Sequence, residues 1–323
     1  MARYLVRRIL SLIVALWVVS LVTFVVFLKL PVGNPAERVA GRSATPQTIA
    51  AINQVYGFNR PIYIQYARFA KGLVPWPGWF LNPQYFYSRL ESAPVKTIIL
   101  QRLPVTITLA LGAAVIWLIL GLGTGVISAL WPRSVADRVM MTGALAGISA
   151  PPFWVGYLFL YVFWYKLRWL PPSGLPPNES LLVSIAKGRF LMPWIALAIG
   201  YSAFYARISR ATLLDVMNKD YVRTARAKGL KERRVVVRHV LRAGLAPVIT
   251  MLGLDLGGLM GGTIIIETVF NLPGIGAYSL QAVTGNDLPA IMGITVFAAL
   301  CIMVANVLVD VTYAYLDPKI RFS

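Results

Sequence analysis

Two acidic residues, Asp255 and Glu267, lie within long apolar stretches of the chain, and a third, Asp310, directly follows one. A carboxylate near the centre of a bilayer costs about 2.5–3.5 kcal/mol even on the lenient insertion scale, so it usually faces a cavity or a partner. Asp255 and Glu267 are therefore candidates for lining or gating a polar path, whereas Asp310 lies near the end of its stretch and is expected to pair with a loop arginine. Two interpretations of Asp255 stay open. Its charge selects a cationic or amino-terminal group in a water-accessible cavity, or the residue is protonated or paired and only fixes packing.

Other reactive residue types are scarce in this sequence. His239 is the only histidine and Cys301 the only cysteine, so no cluster of these residues is available for a metal. No Gly-x-x-x-x-Gly-Lys-[Ser/Thr] segment could cradle nucleotide phosphates. Gly121, Gly123 and Gly125 fall inside an uncharged apolar stretch, where small residues let helices approach closely. We therefore expect no catalytic, cofactor or metal site on this chain.

The elements that must position these residues are apolar segments of bilayer-spanning length. Of the 323 residues, 58% are hydrophobic and only 13% charged, against about 25% charged in an ordinary soluble domain. A helix needs about 20 apolar residues to cross a bilayer. Six segments meet or approach that requirement: Ile9–Leu28, Leu103–Trp131, Val139–Tyr165, Phe190–Ala206, Leu245–Phe270 and Leu288–Val309. The composition predicts an all-α polytopic membrane protein with six transmembrane helices.

Basic residues indicate the orientation of these helices, because cytoplasmic loops retain Lys and Arg. They precede the first segment and crowd residues 207–246, whereas 271–287 has none. We expect both termini and 207–246 to be cytoplasmic, and the net charge of +19 then needs no nucleic-acid partner. The basic residues between 166 and 189 do not fit this pattern.

The long polar stretch after the first apolar segment predicts a small external helical subdomain on the membrane surface. The expected division is 1–30 for the N-terminal region and first helix, 31–101 for this subdomain, and 102–323 for a core of five helices. The first segment is interpreted as an anchor, since its apolar run is longer than the core of a cleavable signal and no small-x-small cleavage site follows.

Two local patterns are expected to shape the helices. Pro152, with a second proline before it and Phe153 after it, interrupts the third segment. Such a break is tolerated where neighbouring helices or water satisfy the freed carbonyls, so it marks a moving or cavity-lining helix or a static kink. Pro152 and Phe153 are candidates for the path or gate. Gly253, Gly257 and Gly261 recur every four residues and predict a helix-packing face that contacts a second membrane subunit, or a surface along a path.

The segment 207–246 is longer than a link between two helices requires. Strong helix formers predict a helix over Asp215–Lys228, and Gly229 stands where a left-handed C-cap is needed. A second short helix is predicted over Lys231–Leu241, and Pro247 opens the next apolar segment. The valines of this second helix lie beside charged residues, and a helix whose faces were all solvated would not need such apolar side chains. The pattern predicts a helix–glycine–helix elbow that docks on a cytoplasmic partner.

This elbow resembles the EAA loop of bacterial ABC importer permeases, in the form typical of the dipeptide, oligopeptide and nickel branch. The resemblance rests on Asp220-Tyr-Val-Arg-Thr-Ala-Arg-Ala-Lys-Gly-Leu230, Arg238-His-Val-Leu-Arg242, Pro247, Glu267-Thr-Val-Phe270, Pro273-Gly-Ile-Gly276, Ser149 with Pro152-Phe-Trp154, and the tail Asp317-Pro-Lys-Ile-Arg321. These motifs follow the family's order over most of the chain. The chain departs from the family at Arg223-Thr-Ala225, where the generic loop has Glu-Ala-Ala, and at Arg242, where its proline would fall.

The resemblance implies a transport subunit, not an enzyme: half of the path of an ATP-driven importer in the bacterial inner membrane. The implied partners are a second homologous permease, two cytoplasmic ATPase subunits that hold ATP and Mg, an external substrate-binding protein and membrane lipid. The residues expected to couple to the ATPase are Asp220, Tyr221, Arg223, Thr224, Ala225, Ala227, Gly229 and Leu230.

The branch implies di- or oligopeptides as substrate, and nickel chelates, glutathione or oligosaccharides stay open as cargo of the same architecture. An ion-coupled secondary transporter is disfavoured, because the sequence shows no two matching halves with paired broken helices.

Overall fold

The computed structural model describes residues 2–31, 33–41, 45–73 and 81–316. These residues are mainly helical, which confirms the expectation of a helical, polytopic chain at that level. The strands described are two residues each: β1 (Tyr87–Ser88) pairs antiparallel with β2 (Ala93–Pro94), with Tyr87 opposite Pro94. The family-like tail Asp317–Arg321 lies outside the described residues.

The helices begin and end where local sequence allows. In chain order they are α1 (Ala2–Phe24), α2 (Pro35–Ala40), α3 (Pro46–Tyr56), α4 (Ile62–Leu73), α5 (Val95–Leu130), α6 (Val135–Ser149), α7 (Pro152–Phe159), α8 (Leu181–Ala186), α9 (Leu191–Met217), α10 (Asp220–Ala227), α11 (Glu232–Val235), α12 (Arg242–Gly244), α13 (Ala246–Met260), α14 (Ile264–Val269), α15 (Ile275–Thr284) and α16 (Leu288–Leu316). Three helices continue as π-helical turns, at Val25–Lys29, Leu160–Lys166 and Val236–Leu241. The side chains of Asn34, Thr45, Ser134 and Ser180 each accept a backbone N–H and so cap a helix start.

Several of these helices are long and apolar enough to cross a bilayer. Four qualify singly: Leu10–Lys29, Val95–Leu130, Leu191–Met217 and Leu288–Val311. Two bent pairs qualify jointly: Val135–Ser149 with Pro152–Lys166, and Glu232–Gly244 with Pro247–Met260. By length and composition, the described residues therefore contain four to six spans.

The third predicted span is two helices and not one. α6 ends at Ser149, α7 begins at Pro152, and their directions differ by 98°. Consecutive prolines supply no N–H groups, and each disfavours a helical conformation in the residue before it, so the hydrogen-bond ladder cannot continue. The proline break is confirmed and is much sharper than a kink.

The fifth predicted span, 245–270, ends early. α13 stops at Met260 and α14 begins only at Ile264. Gly262 adopts φ +109°, and a Cβ at this position would overlap the backbone of Gly276. Only glycine fits so close an approach. The prediction of one continuous helix is wrong here, and Gly261 lies in the turn after α13.

The first of two compact units comprises Met1–Thr106, Gly257–Glu267 and Pro273–Val307. Its hydrophobic core contains Phe24 of α1, Phe69 of α4, Phe86, and Tyr278 of α15, with residues of α3, α5 and α16. Tyr56, Phe69 and Phe86 of the polar stretch 31–101 are therefore buried in a core that is shared with α1, α15 and α16.

The second unit comprises Ile107–Leu256, Thr268–Leu272 and Leu308–Ser323. In it, α6 packs along α9, and Gly121 and Gly125 of α5 also face α9. A Cβ at Gly121 would lie 2.8 Å from the side chain of Tyr205, and one at Gly125 would lie 2.6 Å from that of Ser209. The expected packing role holds at these two glycines, whereas Gly123 has open space around it.

Two of the four basic residues between 166 and 189, Lys187 and Arg189, find an acidic partner in their own loop. Glu179 pairs with Lys187 at 3.1 Å and with Arg189 at 3.2 Å, and it accepts a hydrogen bond from Ser184. Glu179 thus neutralises part of the positive charge that did not fit the expected distribution of basic residues between loops.

Candidate functional site

The segment 207–246 starts as a continuation of α9, which runs to Met217. Lys219 is extended, and α10 begins at Asp220. The predicted helix Asp215–Lys228 is therefore broken near its start, because its first residues belong to the preceding long helix.

The elbow itself forms where the sequence places it. Gly229 follows α10 with φ +75°, the left-handed conformation expected there. Across it, the Arg226 guanidinium of α10 contacts the Glu232 carboxylate of α11 at 2.7 Å. The side chain of Glu232 is more than half exposed, so this ion pair adds little stability and mainly fixes the angle of the elbow.

The predicted coupling residues divide into two groups. Six of them are exposed: Asp220, Tyr221, Arg223, Thr224, Ala227 and Gly229. Ala225 is instead buried in a small core with Val222 and Val235, and Leu230 packs partly buried against the same core. The coupling role of all eight residues stays a prediction, and the apolar side chains of Ala225 and Leu230 pack into the core beneath the elbow.

A buried ion pair lies at the base of this region. Arg210 of α9 binds Asp137 of α6 with two hydrogen bonds of 2.8 Å, Nε to Oδ1 and Nη2 to Oδ2. The backbone N–H of Arg133 also donates to Oδ2, at 2.8 Å. The Asp137 side chain is 6% exposed and that of Arg210 is 28% exposed. Such a bidentate pair fixes geometry as well as charge, so it locks α6 to the helix that leads into the elbow.

A cavity of about 250 Å³ lies in the same unit, beside the break between α6 and α7. Its lining includes Ala150 and Pro152 at the break, Tyr201 and Phe204 of α9, and Asp255 of α13. Two of the predicted path residues, Asp255 and Pro152, thus come together. Phe153, the third, is 49% exposed and does not line this cavity.

Asp255 is held by a hydrogen bond that the sequence did not indicate. The hydroxyl of Tyr205 donates to Oδ2 of Asp255 over 2.6 Å. Tyr205 is 1% exposed, and Trp117, whose ring stacks on Tyr201 at 4.6 Å between centroids, packs beside it. A length of 2.5–2.7 Å is typical of a hydroxyl that donates to an ionised carboxylate.

Glu267 has a different place from the one expected. It is fully buried in the first unit, where its carboxylate accepts hydrogen bonds from Thr106 Oγ1 at 2.9 Å, from Ala277 N at 2.8 Å, and from both the N and Oγ1 of Thr263 at 3.3 Å. A Cβ at Gly274 would overlap this carboxylate. Glu267 therefore caps the start of α15, where its carboxylate accepts hydrogen bonds from backbone N–H groups. It does not line the cavity beside Asp255.

The glycines of α13 face the last helix. A Cβ at Gly253 would overlap Val309, and one at Gly257 would overlap Ala305. At Gly261, in the following turn, a Cβ would approach Ala298 to 2.7 Å. The structure thus places the predicted small-residue face against α16 of the same chain.

Sequence reasoning missed three residues of this arrangement: Asp137, Arg210 and Tyr205. The spacing Ser134-x-x-Asp137 before an apolar run is a helix-start pattern, and Asp137 N does donate to Ser134 Oγ at 3.1 Å. That pattern could have singled out Asp137. Nothing local marks Tyr205, whose partner lies fifty residues away in the chain.

Known proteins resemble the chain over its whole length. Residues 121–322 match the family described as binding-protein-dependent transport system inner membrane component, and residues 1–110 match the N-terminal region of such components. The glutathione transport system permease protein GsiC of Escherichia coli (strain K12) is 36% identical over 323 residues, 100% of both chains. The GsiC protein of Shigella flexneri serotype 5b is 35% identical over the same span.

A solved structure, described as an inward-facing conformation of the MetNI methionine ABC transporter, shares the fold. It superposes with a TM-score of 0.53 at 14% identity, covering 69% of this chain and 97% of that one. The likeness concerns the fold alone, and it agrees with the helical arrangement described above. The chain belongs to the family of binding-protein-dependent transport system inner membrane components, the multi-pass permease subunits of ABC importers.

Proposed function

We propose that this importer permease carries di- and oligopeptides, with glutathione, itself a tripeptide, as the first substrate to test. The observation that carries the proposal is the full-length 36% identity to proteins named as glutathione transport permeases. The branch-specific form of the elbow at Asp220–Leu230 supports the same class of cargo.

The chain forms half of the translocation path beside a second, homologous permease. Two cytoplasmic ATPase subunits bind ATP and Mg, and an external binding protein delivers the peptide; this chain itself holds no cofactor. The exposed residues of α10 dock on the ATPase, with Tyr221, at 48% exposure, as the largest apolar contact. The position of α10 supports this assignment, because its inner face packs into the small core around Val222 and its outer face is exposed and mostly polar.

The chain crosses the membrane six times with both termini in the cytoplasm. The bent pair of α6 and α7 counts as one crossing and α13 as another, the stretch 31–101 lies outside, and the core of the permease is 102–323. Cysteine scanning on a Cys301→Ala background tests this topology. Labelling of residue 232 from outside by an impermeant thiol reagent would contradict it.

Reconstitution of this chain with the second permease, the ATPase subunits and the binding protein in proteoliposomes tests the function. We expect ATP-dependent uptake of glutathione or a tripeptide that requires the binding protein, and co-purification of the ATPase subunits with this chain. Uptake of nickel chelates or oligosaccharides, and not of peptides, would contradict the proposed substrate class but not the proposed assembly of an ABC importer. Uptake driven by an ion gradient without ATP would overturn the proposal.

A further inference from the structure

The break between α6 and α7 leaves non-helical backbone in the middle of a candidate span, which qualifies by length and composition. Non-helical backbone at membrane depth is tolerated only where protein buries it or where it lines a water-filled cavity. Ala150 and Pro152, on either side of Pro151, both line the cavity of about 250 Å³. The geometry of the break therefore favours a cavity that admits water and polar solutes.

One charge faces this otherwise apolar space. Among the residues that line it, Asp255 is the only Asp, Glu, Lys, Arg or His, and the side chains around it include Val155, Leu197 and Ile199. Only Oδ2 has a hydrogen bond in the part of the chain that the structure describes, from Tyr205. Oδ1 is therefore left to accept from a bound group.

The cavity also presents aromatic faces. Tyr201 and Phe204 of α9 line it together with Asp255. A cation near an aromatic face gains about 0.5–2 kcal/mol, most where water is excluded. A carboxylate beside aromatic rings in an apolar wall is complementary to an organic cation.

We propose that this cavity is a recognition site for an alkylammonium side chain of the transported solute, such as that of a lysine residue. Asp255 receives the cation, and Tyr205 is a positioning residue that holds the carboxylate toward the cavity. The inference deepens the proposed function and rests on it, since the site acts only if peptides pass this chain.

Uptake of two tripeptides, Ala-Lys-Ala and Ala-Glu-Ala, by the reconstituted importer tests the site. Both peptides come from the same binding protein, so its preference cancels when the uptake ratio of a variant is divided by that of the wild type. In Asp255→Asn we expect the Lys-to-Glu ratio to fall about tenfold, equivalent to about 1.4 kcal/mol. Asp255→Glu retains most of the ratio, and Tyr205→Phe loses part of it. Asp215→Asn, which removes an exposed carboxylate of α9 outside the cavity, leaves it unchanged.

The outcomes separate the inference from the function on which it rests. Equal uptake ratios in Asp255→Asn and wild type would overturn the ammonium site and leave peptide transport intact. No uptake of either peptide by the wild type would refute peptide transport itself. Should Asp255→Asn not assemble, n-butylammonium decides on the wild type: it is expected to inhibit Ala-Lys-Ala uptake more than Ala-Glu-Ala uptake, and equal inhibition would overturn the site.

Discussion

Replacement of Gly229 by valine isolates the backbone geometry of the elbow. Nothing lies within 4 Å of the position that a Cβ would occupy at this exposed residue, so the added Cβ meets no neighbour. Its φ of +75° is left-handed. The entire effect of Gly229→Val therefore comes from the backbone conformation.

The expected magnitude follows from that geometry. A left-handed conformation costs an L-residue about 1–2 kcal/mol, and a β-branched side chain falls at the upper end. Since 1.4 kcal/mol is a factor of ten in an equilibrium constant, the population of the native elbow, relative to conformations without the left-handed residue, falls about five- to thirtyfold. The exposed Arg226–Glu232 pair is worth at most about 1 kcal/mol and cannot restore it.

Titration of the purified ATPase subunits onto nanodisc-embedded permease measures the effect. We expect Gly229→Val to weaken their binding about five- to thirtyfold and to abolish the stimulation of ATP hydrolysis by peptide, while the chain still inserts. Gly229→Asn is the matched control, because asparagine tolerates the left-handed region, and it should remain near wild type. Wild-type affinity in the valine variant, or equal losses in both variants, would refute the reasoning.

Three further substitutions test the internal contacts, each read from thermal unfolding of the detergent-solubilised chain. Asp137→Asn should cost about 2 kcal/mol, less than a fully buried pair, because Arg210 is partly exposed and can recruit water; an unchanged melting temperature would show that the pair is not formed. Glu267→Gln places an amide N–H₂ among buried donors and should cost about 1–3 kcal/mol; a neutral result would contradict the capping role. Gly257→Ala should destabilise the chain by about 1–3 kcal/mol, because the added methyl group overlaps α16. Gly258→Ala is the control: the position of its Cβ is open, so this substitution should be neutral or slightly stabilising. Equal effects of the two substitutions would argue against the packing of the Gly257 face on α16.

Local chemistry explains which features the sequence could predict. The left-handed Gly229 and the proline break before α7 each follow from the allowed dihedrals of one or two residues. The apolar segments likewise follow from bilayer thickness. These features need no knowledge of distant neighbours, so they can be predicted from the sequence alone.

The missed features all depend on neighbours far apart in the chain. Glu267 was expected near a path because a carboxylate in an apolar segment is costly. The free-energy cost of burying this carboxylate is offset equally well by hydrogen bonds from Thr106 and from the backbone at the start of α15. Only the fold brings these groups together. The early end of α13 has the same origin, since Gly262 is needed where the backbone of Gly276 approaches. Composition could identify an expensive residue but could not choose between a cavity and a buried cap.

The placement of functional groups along α9 suggests how cavity and elbow communicate. Tyr205 holds the cavity carboxylate, Arg210 binds Asp137, and the helix ends at Met217, just before α10. At 1.5 Å per residue, about 18 Å separates Tyr205 from the end of the helix. Coupling over such a distance requires an element with discrete arrangements that both ends can bias. Because Arg210 ties α9 to α6, whose far end borders the cavity, a group that enters beside Asp255 contacts both helices of a locked pair. Displacement of this pair would carry α10 with it, so the ion pair should affect peptide-stimulated ATP hydrolysis more than the binding of either partner alone.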